Sequence, residues 1–161
     1  MNRMNDRPID TYDRKILDVL QRSGRIQINE LAEEIGLSKT PCLTRLRRLE
    51  DRGFIRGYRA NIDPGKVDLG YLVYIQVKLE STARRALEKF NTAVGDVPEI
   101  LTCHMMSGGY DYLLKVRSAD VAAYRAVLGD VIAHLPGVLQ TSSFPVIEEV
   151  KDNAPIVISD R

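Results

Sequence analysis

Two short helical patterns separated by Gly36 constrain the fold most strongly. The first begins near Asn29, and Gly36 suits the left-handed backbone conformation that ends a helix. The second begins at Ser38, a favoured N-cap residue, and continues at helical spacing as far as Gly53. The apolar residues of this second pattern are Leu43, Leu46 and Leu49. A helix, a tight turn and a second helix in this order predict a helix-turn-helix.

The residues on either side of this motif extend it to a small domain. An earlier helix is predicted from Asp10, its N-cap, to Gly24. After the motif, residues 54–62 alternate as in a short hairpin or an extended wing, and a turn follows at residues 63–66. The N-terminal part is therefore predicted to be a winged helix-turn-helix.

The remainder of the chain has a different pattern, in which segments typical of strands alternate with segments typical of helices. The strands are predicted at residues 71–79, 100–106, 110–116 and 138–150, and the helices at 82–94 and 119–135. The order β-α-β-β-α-β indicates a ferredoxin-like sheet with both helices on one face. Its other face is expected to be bare and partly apolar, and such faces usually mark association surfaces.

The fold class is accordingly predicted as α+β, with a winged helix-turn-helix joined to a ferredoxin-like regulatory domain. We expect the first domain at residues 1–62, a linker at 63–70 and the second domain at 71–161. No apolar run reaches the roughly 20 residues that span a bilayer, and the N-terminus is too polar for a signal peptide. A cytoplasmic, nucleoid-associated protein without membrane contact is expected.

The charge distribution favours DNA as the partner of the first domain. Residues 1–66 contain 14 Lys and Arg against 10 Asp and Glu, whereas residues 67–161 contain 9 against 12. An excess of basic residues on one domain suits a polyanion. Residues 37–59 concentrate this excess, although a charge run can also be a solvated helix face laced with salt bridges.

The helix that begins at Ser38 has one apolar side and one side rich in Thr and Arg when its residues are placed at about 100° intervals. Arg can contact guanine, Thr can reach a base edge, and the helix N-terminus can hold a phosphate. The predicted contacts to double-stranded DNA are Ser38, Lys39, Thr40, Thr44, Arg45, Arg47, Arg48 and Arg56. Of these, Arg56 is expected to contact phosphate only.

Several segments spread over nearly the whole chain match one family. They include Leu37-Ser38-Lys39-Thr40-Pro41-Cys42-Leu43-Thr44-Arg45-Leu46-Arg47-Arg48-Leu49-Glu50, Gly53-Phe54-Ile55, Asp111-Tyr112-Leu113-Leu114-Lys115 and Leu135-Pro136-Gly137-Val138. Together they resemble the Lrp/AsnC, or feast/famine, family of transcriptional regulators. The resemblance implies a ferredoxin-like regulatory domain, assembly of dimers into tetramers or octamers, and a small amino-acid effector bound between subunits.

The resemblance places the effector near the loop that joins the second and third strands. The predicted effector site contains Ser107, Gly108, Gly109, Tyr110 and Asp111, with Thr141 and Ser142 from the last strand. Glycines let backbone N–H groups approach a carboxylate, and an aspartate can pair with an ammonium group. The alternative is a tight hairpin turn in which Asp111 accepts hydrogen bonds from local amides. The resemblance implies leucine or another neutral amino acid as the effector.

Two rival functions belong to other classes. Ferredoxin-like domains host many chemistries, but the chain has two histidines and no metal-ligand spacing, nucleophile elbow or phosphate loop, so no enzyme, metal site or cofactor is predicted. The second rival is an architectural protein that wraps DNA without an effector. Cys42 and Cys103 are expected to be small buried hydrophobic residues.

Overall fold

The computed structural model describes residues 8–158, which form two compact units. The first unit contains the described residues up to Asn61 and those from Lys151 onward, and the second is Ile62–Val150. The C-terminal segment thus groups with the first unit, whereas the sequence assigned it to the second. The side chain of Gln21 explains this grouping, because its Nε2 donates to the carbonyl of Ile156 at 3.0 Å and its Oε1 accepts from the Ile156 N–H at 2.6 Å.

The first helix, α1 (Thr11–Arg22), begins as predicted at the N-cap Asp10. The Asp13 N–H donates to the Asp10 carboxylate, and the Asp10 N–H donates to the Asp13 carboxylate, both at 3.1 Å. This reciprocal capping box satisfies backbone donors that the first turn of a helix leaves unpaired.

The helix-turn-helix consists of α2 (Ile28–Ile35) and α3 (Lys39–Asp51). Gly36 lies between them with φ 75°, and the N–H of Leu37 donates to the carbonyl of Ala32 at 2.8 Å. Ser38 has the predicted N-cap position, but its side chain makes no capping hydrogen bond. The buried apolar residues that hold the three helices together are Ile16, Val19, Leu31, Ala32, Ile35, Cys42 and Leu49.

The wing that follows α3 forms no strand over residues 54–61, since residues 54–55 are a bend and the rest is irregular. Tyr58 ties it back to α3, since its hydroxyl donates to the Glu50 carboxylate at 2.9 Å. Burial, followed by this hydrogen bond to Glu50, raises the pKa of Tyr58 to about 12. The next turn, Pro64–Val67, is a 3-10 helix capped by Asp63.

The second unit has the predicted β-α-β-β-α-β order. It contains β1 (Tyr71–Leu79), α4 (Arg84–Gly95), β2 (Ile100–Met105), β3 (Tyr112–Ser118), α5 (Val121–Ala126) and β4 (Val138–Pro145). The strands form an antiparallel sheet in the order β2-β3-β1-β4. The predicted helix 119–135 is shorter, because α5 gives way to a π-helical turn at Val127–Val131 and a 3-10 turn at Ile132–His134. Gly129, a poor helix former, lies in the π-helical turn.

Both helices pack on the same face of the sheet. The core combines strand residues with residues of α4, α5 and the turns after α5, and it includes Val73, Ile75, Val77, Leu114, Phe90, Val94, Tyr124 and Ile132. Alternate residues of each strand point to the opposite, open face. There Phe144 pairs with Tyr74 and is 49% exposed. On the same face Arg117 donates to Glu149 at 2.7 Å.

Candidate DNA-binding surface and effector loop

The exposed residues of α3 include Thr40, Thr44 and Arg47, and Ser38 and Lys39 are exposed at its N-terminal end. The opposite side of the helix is anchored by Cys42 and Leu49, both fully buried. These residues follow the helical period, so the buried pair fixes which side chains point outward. Arg56, in the wing, is also exposed.

The hydroxyl of Thr44 is held by its own helix. Its Oγ1 donates to the carbonyl of Thr40 at 3.0 Å, one turn earlier. The oxygen can still accept a hydrogen bond, and the methyl group is free to contact a thymine methyl.

Arg45 and Arg48 do not share this outward direction, which corrects their predicted placement. Arg45 lies three residues after Cys42, so at about 100° per residue it is only about 60° from the buried side. Its side chain is 22% exposed and that of Arg48 is 20% exposed. Both turn toward the first turn of α1, where two carboxylates receive them.

These four side chains form a compact charge cluster, which we call the α1–α3 clamp: Asp10, Asp13, Arg45 and Arg48. The Nη1 of Arg45 donates to both carboxylate oxygens of Asp10, at 2.8 and 2.7 Å, and to Asp13 at 2.9 Å. The Nη2 of Arg48 donates to the other oxygen of Asp13 at 2.5 Å. Asp13 is fully buried, so its charge is neutralised inside the protein rather than by water.

The clamp shifts the pKa values of its two half-buried members, Asp10 and Arg45. Burial would raise the pKa of Asp10, but the hydrogen bond and charge of Arg45 and the amides of Asp13 and Tyr12 hold that pKa below its usual value of 3.8. The hydrogen bond to Asp10 likewise raises the pKa of Arg45. The ring of Tyr12 lies 5.5 Å from the guanidinium carbon of Arg45 and covers it.

The sequence reasoning gave Asp10 and Asp13 only a role at the start of α1. The spacing of the two acids did indicate a shared acidic face, because residues three apart lie one turn apart on the same side of a helix. What the pattern could not show is that this face meets the basic residues of α3, about 35 positions later.

The loop between β2 and β3 contains Ser107, Gly108, Gly109 and Tyr110. Gly108 has φ 145°, a conformation that side chains other than glycine rarely adopt, and the first three residues of the loop are exposed. The loop closes where the N–H of Met106 donates to the carbonyl of Asp111 at 2.8 Å.

Asp111 is engaged by the neighbouring strand β1. Its carboxylate accepts the N–H of Leu79 at 2.8 Å and lies 3.5 Å from the Nζ of Lys78, and its own N–H donates to the carbonyl of Val77 at 2.9 Å. As in the alternative prediction, Asp111 accepts a backbone amide, but that amide belongs to Leu79 of β1 and not to the loop. Sequence reasoning missed Lys78, since only the sheet places it opposite the loop.

The two β4 residues of the predicted effector site face opposite sides of the sheet. Thr141 pairs with Val77 and shares its helix-covered face, whereas Ser142 pairs with Gln76 on the open face. Val77 also bonds to Asp111, so Thr141 is the β4 residue nearer to the loop along the sheet.

The described residues contain neither a candidate metal site nor a candidate membrane span. Over residues 8–158, no group of three or more His, Cys, Asp or Glu side chains could hold a metal ion. None of the helices in this range is both long enough and apolar enough to cross a bilayer. Cys42 is buried and Cys103 half-buried, both are free, and burial raises the pKa of each thiol.

Two family profiles match consecutive parts of the chain, and the second continues past Val150 into the segment that the fold groups with the first unit. Residues 9–56 match a winged helix-turn-helix DNA-binding domain, and residues 72–156 match the Lrp/AsnC ligand binding domain. The chain belongs to the Lrp/AsnC family. It is therefore a DNA-binding transcriptional regulator with an α+β ligand-binding domain, as the sequence predicted.

Curated members of the Lrp/AsnC family are similar over almost their whole length. The proline dehydrogenase transcriptional activator of Rhizobium radiobacter is 48% identical over 144 residues, which cover 89% of this chain and 92% of that protein. The leucine-responsive regulatory protein of Escherichia coli strain K12 is 48% identical over 153 residues, which cover 95% and 93%.

Solved structures of the family share the fold. A transcriptional regulator of Neisseria meningitidis in complex with L-Met superposes with a TM-score of 0.87 at 37% identity, over 93% of this chain and 97% of that one. An AsnC family transcriptional regulator from Agrobacterium tumefaciens superposes with a TM-score of 0.85 at 36% identity, over 89% and 94%.

Proposed function

We propose that this Lrp/AsnC regulator binds duplex DNA in a sequence-specific manner as a homo-oligomer and controls genes of amino-acid metabolism in response to a neutral amino acid. One observation carries the DNA-binding part: α3 presents Thr40, Thr44 and Arg47 outward while Cys42 and Leu49 anchor its other side. Side chains that are exposed on an anchored helix are the ones that can enter a major groove.

Each exposed residue has a separate proposed role. Arg47 donates to guanine, and Thr40 and Thr44 contact a base edge or a thymine methyl. Ser38 and Lys39 hold a phosphate at the N-terminal end of α3, whose first turn contains no acidic residue. Arg56 contacts phosphate from the wing. Arg45 and Arg48 are restrained by the α1–α3 clamp, which gives them a different part in recognition.

The effector is proposed to bind at the loop of Ser107, Gly108, Gly109 and Tyr110, in a site completed by a second subunit. The exposed amides of the two glycines suit a carboxylate. The L-Met complex of the Neisseria meningitidis relative supports an amino acid as the ligand class. Since Asp111 is already bonded to β1, we expect a neighbouring carbonyl or a partner residue to receive the ammonium group, with Thr141 and Ser142 as further candidate contacts.

Two measurements test this function. Fluorescence titration compares a duplex that the protein selects from a random library with a random duplex of equal length at the same salt. Specific sites should bind at least about 10³-fold more tightly. Equal binding of both duplexes would favour the architectural alternative.

A thermal-shift screen of the twenty amino acids tests the effector. A ligand present at 100 times its dissociation constant should add about 2.7 kcal/mol of stability. The selected amino acid should then change the affinity for the selected duplex, because an effector must discriminate between two states of the protein. A screen without a stabilising amino acid would contradict the effector part and leave the DNA-binding part standing.

A further inference from the structure

The α1–α3 clamp removes positive charge from the recognition helix. Its two arginines donate four hydrogen bonds to two carboxylates, so the four side chains together carry no net charge at neutral pH. Among the described residues, by contrast, the side chains of Lys39 and Arg47 have no ion pair on the exposed side of α3. The helix α3 thus carries two cations held by carboxylates, Arg45 and Arg48, in addition to the two cations without an ion pair.

The restraint is directional as well as electrostatic. Asp13 bridges the two arginines, with one oxygen on Arg45 and the other on Arg48, and its fully buried carboxylate cannot follow them outward. The Nε of Arg48 is itself buried without a hydrogen-bond partner in the described part of the chain.

Arginines released at this position can contact phosphates, and phosphate contacts act without regard to sequence. Each added phosphate contact steepens the dependence of log affinity on log salt by about 0.9 and strengthens binding to any duplex. Contacts to base edges, in contrast, favour only the matching sequence. A recognition helix therefore distinguishes a specific duplex from a random one better when those of its cations that do not contact bases are kept from the phosphates.

We propose that Asp10 and Asp13 determine the sequence specificity of DNA binding by withholding the guanidinium groups of Arg45 and Arg48 from DNA phosphates. They are positioning residues, since they act through the two arginines and not on the DNA. The proposal rests on DNA binding through α3. It adds that two acids outside the recognition helix control the specificity ratio, which is the affinity for a selected duplex divided by the affinity for a random duplex.

The sharpest variant is Asp10→Asn in the full chain. Asparagine caps helices about as well as aspartate, so the start of α1 is retained while one of the two carboxylates that hold Arg45 is lost and only Asp13 remains. The slope of log affinity against log salt for a random duplex should steepen by about 0.9 as Arg45 gains one phosphate. Affinity for random DNA should rise more than affinity for a duplex selected by the wild-type protein, so the specificity ratio should fall.

Asp18→Asn is the matched control. It removes the same charge from the same helix and frees an arginine in the same way, because Asp18 pairs with Arg22 at 2.6 Å. That pair is exposed and lies at the other end of α1, so the salt slope and the specificity ratio should stay at their wild-type values. Equal shifts in both variants would show a general charge effect and overturn the proposal.

A double variant identifies the cation that is released. Adding Arg45→Gln to Asp10→Asn should abolish the gained slope, whereas a slope that remains steep would exclude Arg45 as its source. Thermal unfolding of every variant separates these effects from loss of the folded state. If the wild-type protein discriminates and Asp10→Asn leaves slope and ratio unchanged, this inference fails alone; if the wild-type protein does not bind DNA, the proposed function fails.

Discussion

At the scale of the residue, the single carboxylate of Asp13 connects the start of α1 to two arginines of α3. Its carboxylate accepts the N–H of Asp10, Arg45 and Arg48, and it is fully buried. Removing it would leave two arginines without their buried partner, which generally costs about 3–5 kcal/mol in such pairs. Asp10 is the better position for experiments, because its side chain is 29% exposed and its cap can be replaced.

The Asp10 carboxylate should contribute to acid stability. Its pKa is lowered in the folded protein, so the stabilisation is fully present above the unfolded value near 3.8 and is lost as the pH falls through the folded pKa. Urea unfolding at pH 5 and pH 3 should show a smaller loss of stability in Asp10→Asn than in the wild-type protein. Identical losses would mean that Arg45 does not hold this carboxylate in solution.

Thr44 offers a test of base reading that is separate from folding. Thr44→Ala should reduce discrimination between a selected and a random duplex by about 1–3 kcal/mol if the side chain contacts a base. Thr92→Ala is the control, since Thr92 on α4 is also exposed and its hydroxyl bonds the carbonyl of Glu88 four residues earlier at 2.9 Å. The two variants should have similar stability, and unchanged discrimination in Thr44→Ala would remove Thr44 from the reading surface.

At the scale of the element, the turn between α2 and α3 decides how the recognition helix is presented. Gly36 adopts φ 75°, and the bonds from its N–H to Glu33 and from the Leu37 N–H to Ala32 close the end of α2. A Cβ at this position would meet no atom within 4 Å, so the glycine is required by backbone conformation and not by crowding.

Alanine at Gly36 should therefore destabilise the protein by about 1–2 kcal/mol, the cost of a left-handed conformation with a Cβ. Gly95 is the matched position, since it is the last residue of α4, has no positive φ and would also place a Cβ in open space. Gly95→Ala should stabilise by about 0.4–1 kcal/mol, because alanine restricts the unfolded chain. Chemical denaturation measures both, and effects of the same sign would contradict the conformational explanation.

At the scale of the whole molecule, two cores are built from separate stretches of chain. The helical unit has its own cluster around Ile16 and Leu31, and the sheet unit has another around Val73, Ile75 and Phe90. The buried residues of the second cluster all lie between Val73 and Leu135. Each unit can therefore be expected to fold around its own core.

Residues 62–150 expressed alone should fold cooperatively and associate. Their core is complete, and the open face of the sheet exposes Phe144 and other apolar groups that a second copy can cover. Circular dichroism during heating reports the folding, and light scattering reports the mass in solution. A folded monomer would show that the open face does not mediate assembly.

Local patterns were sufficient for much of this protein. Capping at Asp10, the left-handed Gly36, the helical spacing of α3 and the alternation of β1 each depend on neighbours within a few residues, so the sequence by itself determined the elements, their order and the two-part fold. The same patterns located the helix proposed to face DNA and the loop between β2 and β3, because both are continuous segments.

Tertiary structure alone decided which charges are available on those segments. Arg45 and Arg48 are restrained by acids that precede them by about 35 residues, Asp111 is taken up by β1, and the C-terminal segment returns to Gln21. Each of these contacts joins residues that are remote in the chain. The ion pairs and hydrogen bonds form only after packing has brought the helices and strands together, because both act over short distances. A sequence pattern records which charges exist, and the packed structure determines which of them remain free to meet DNA or an effector.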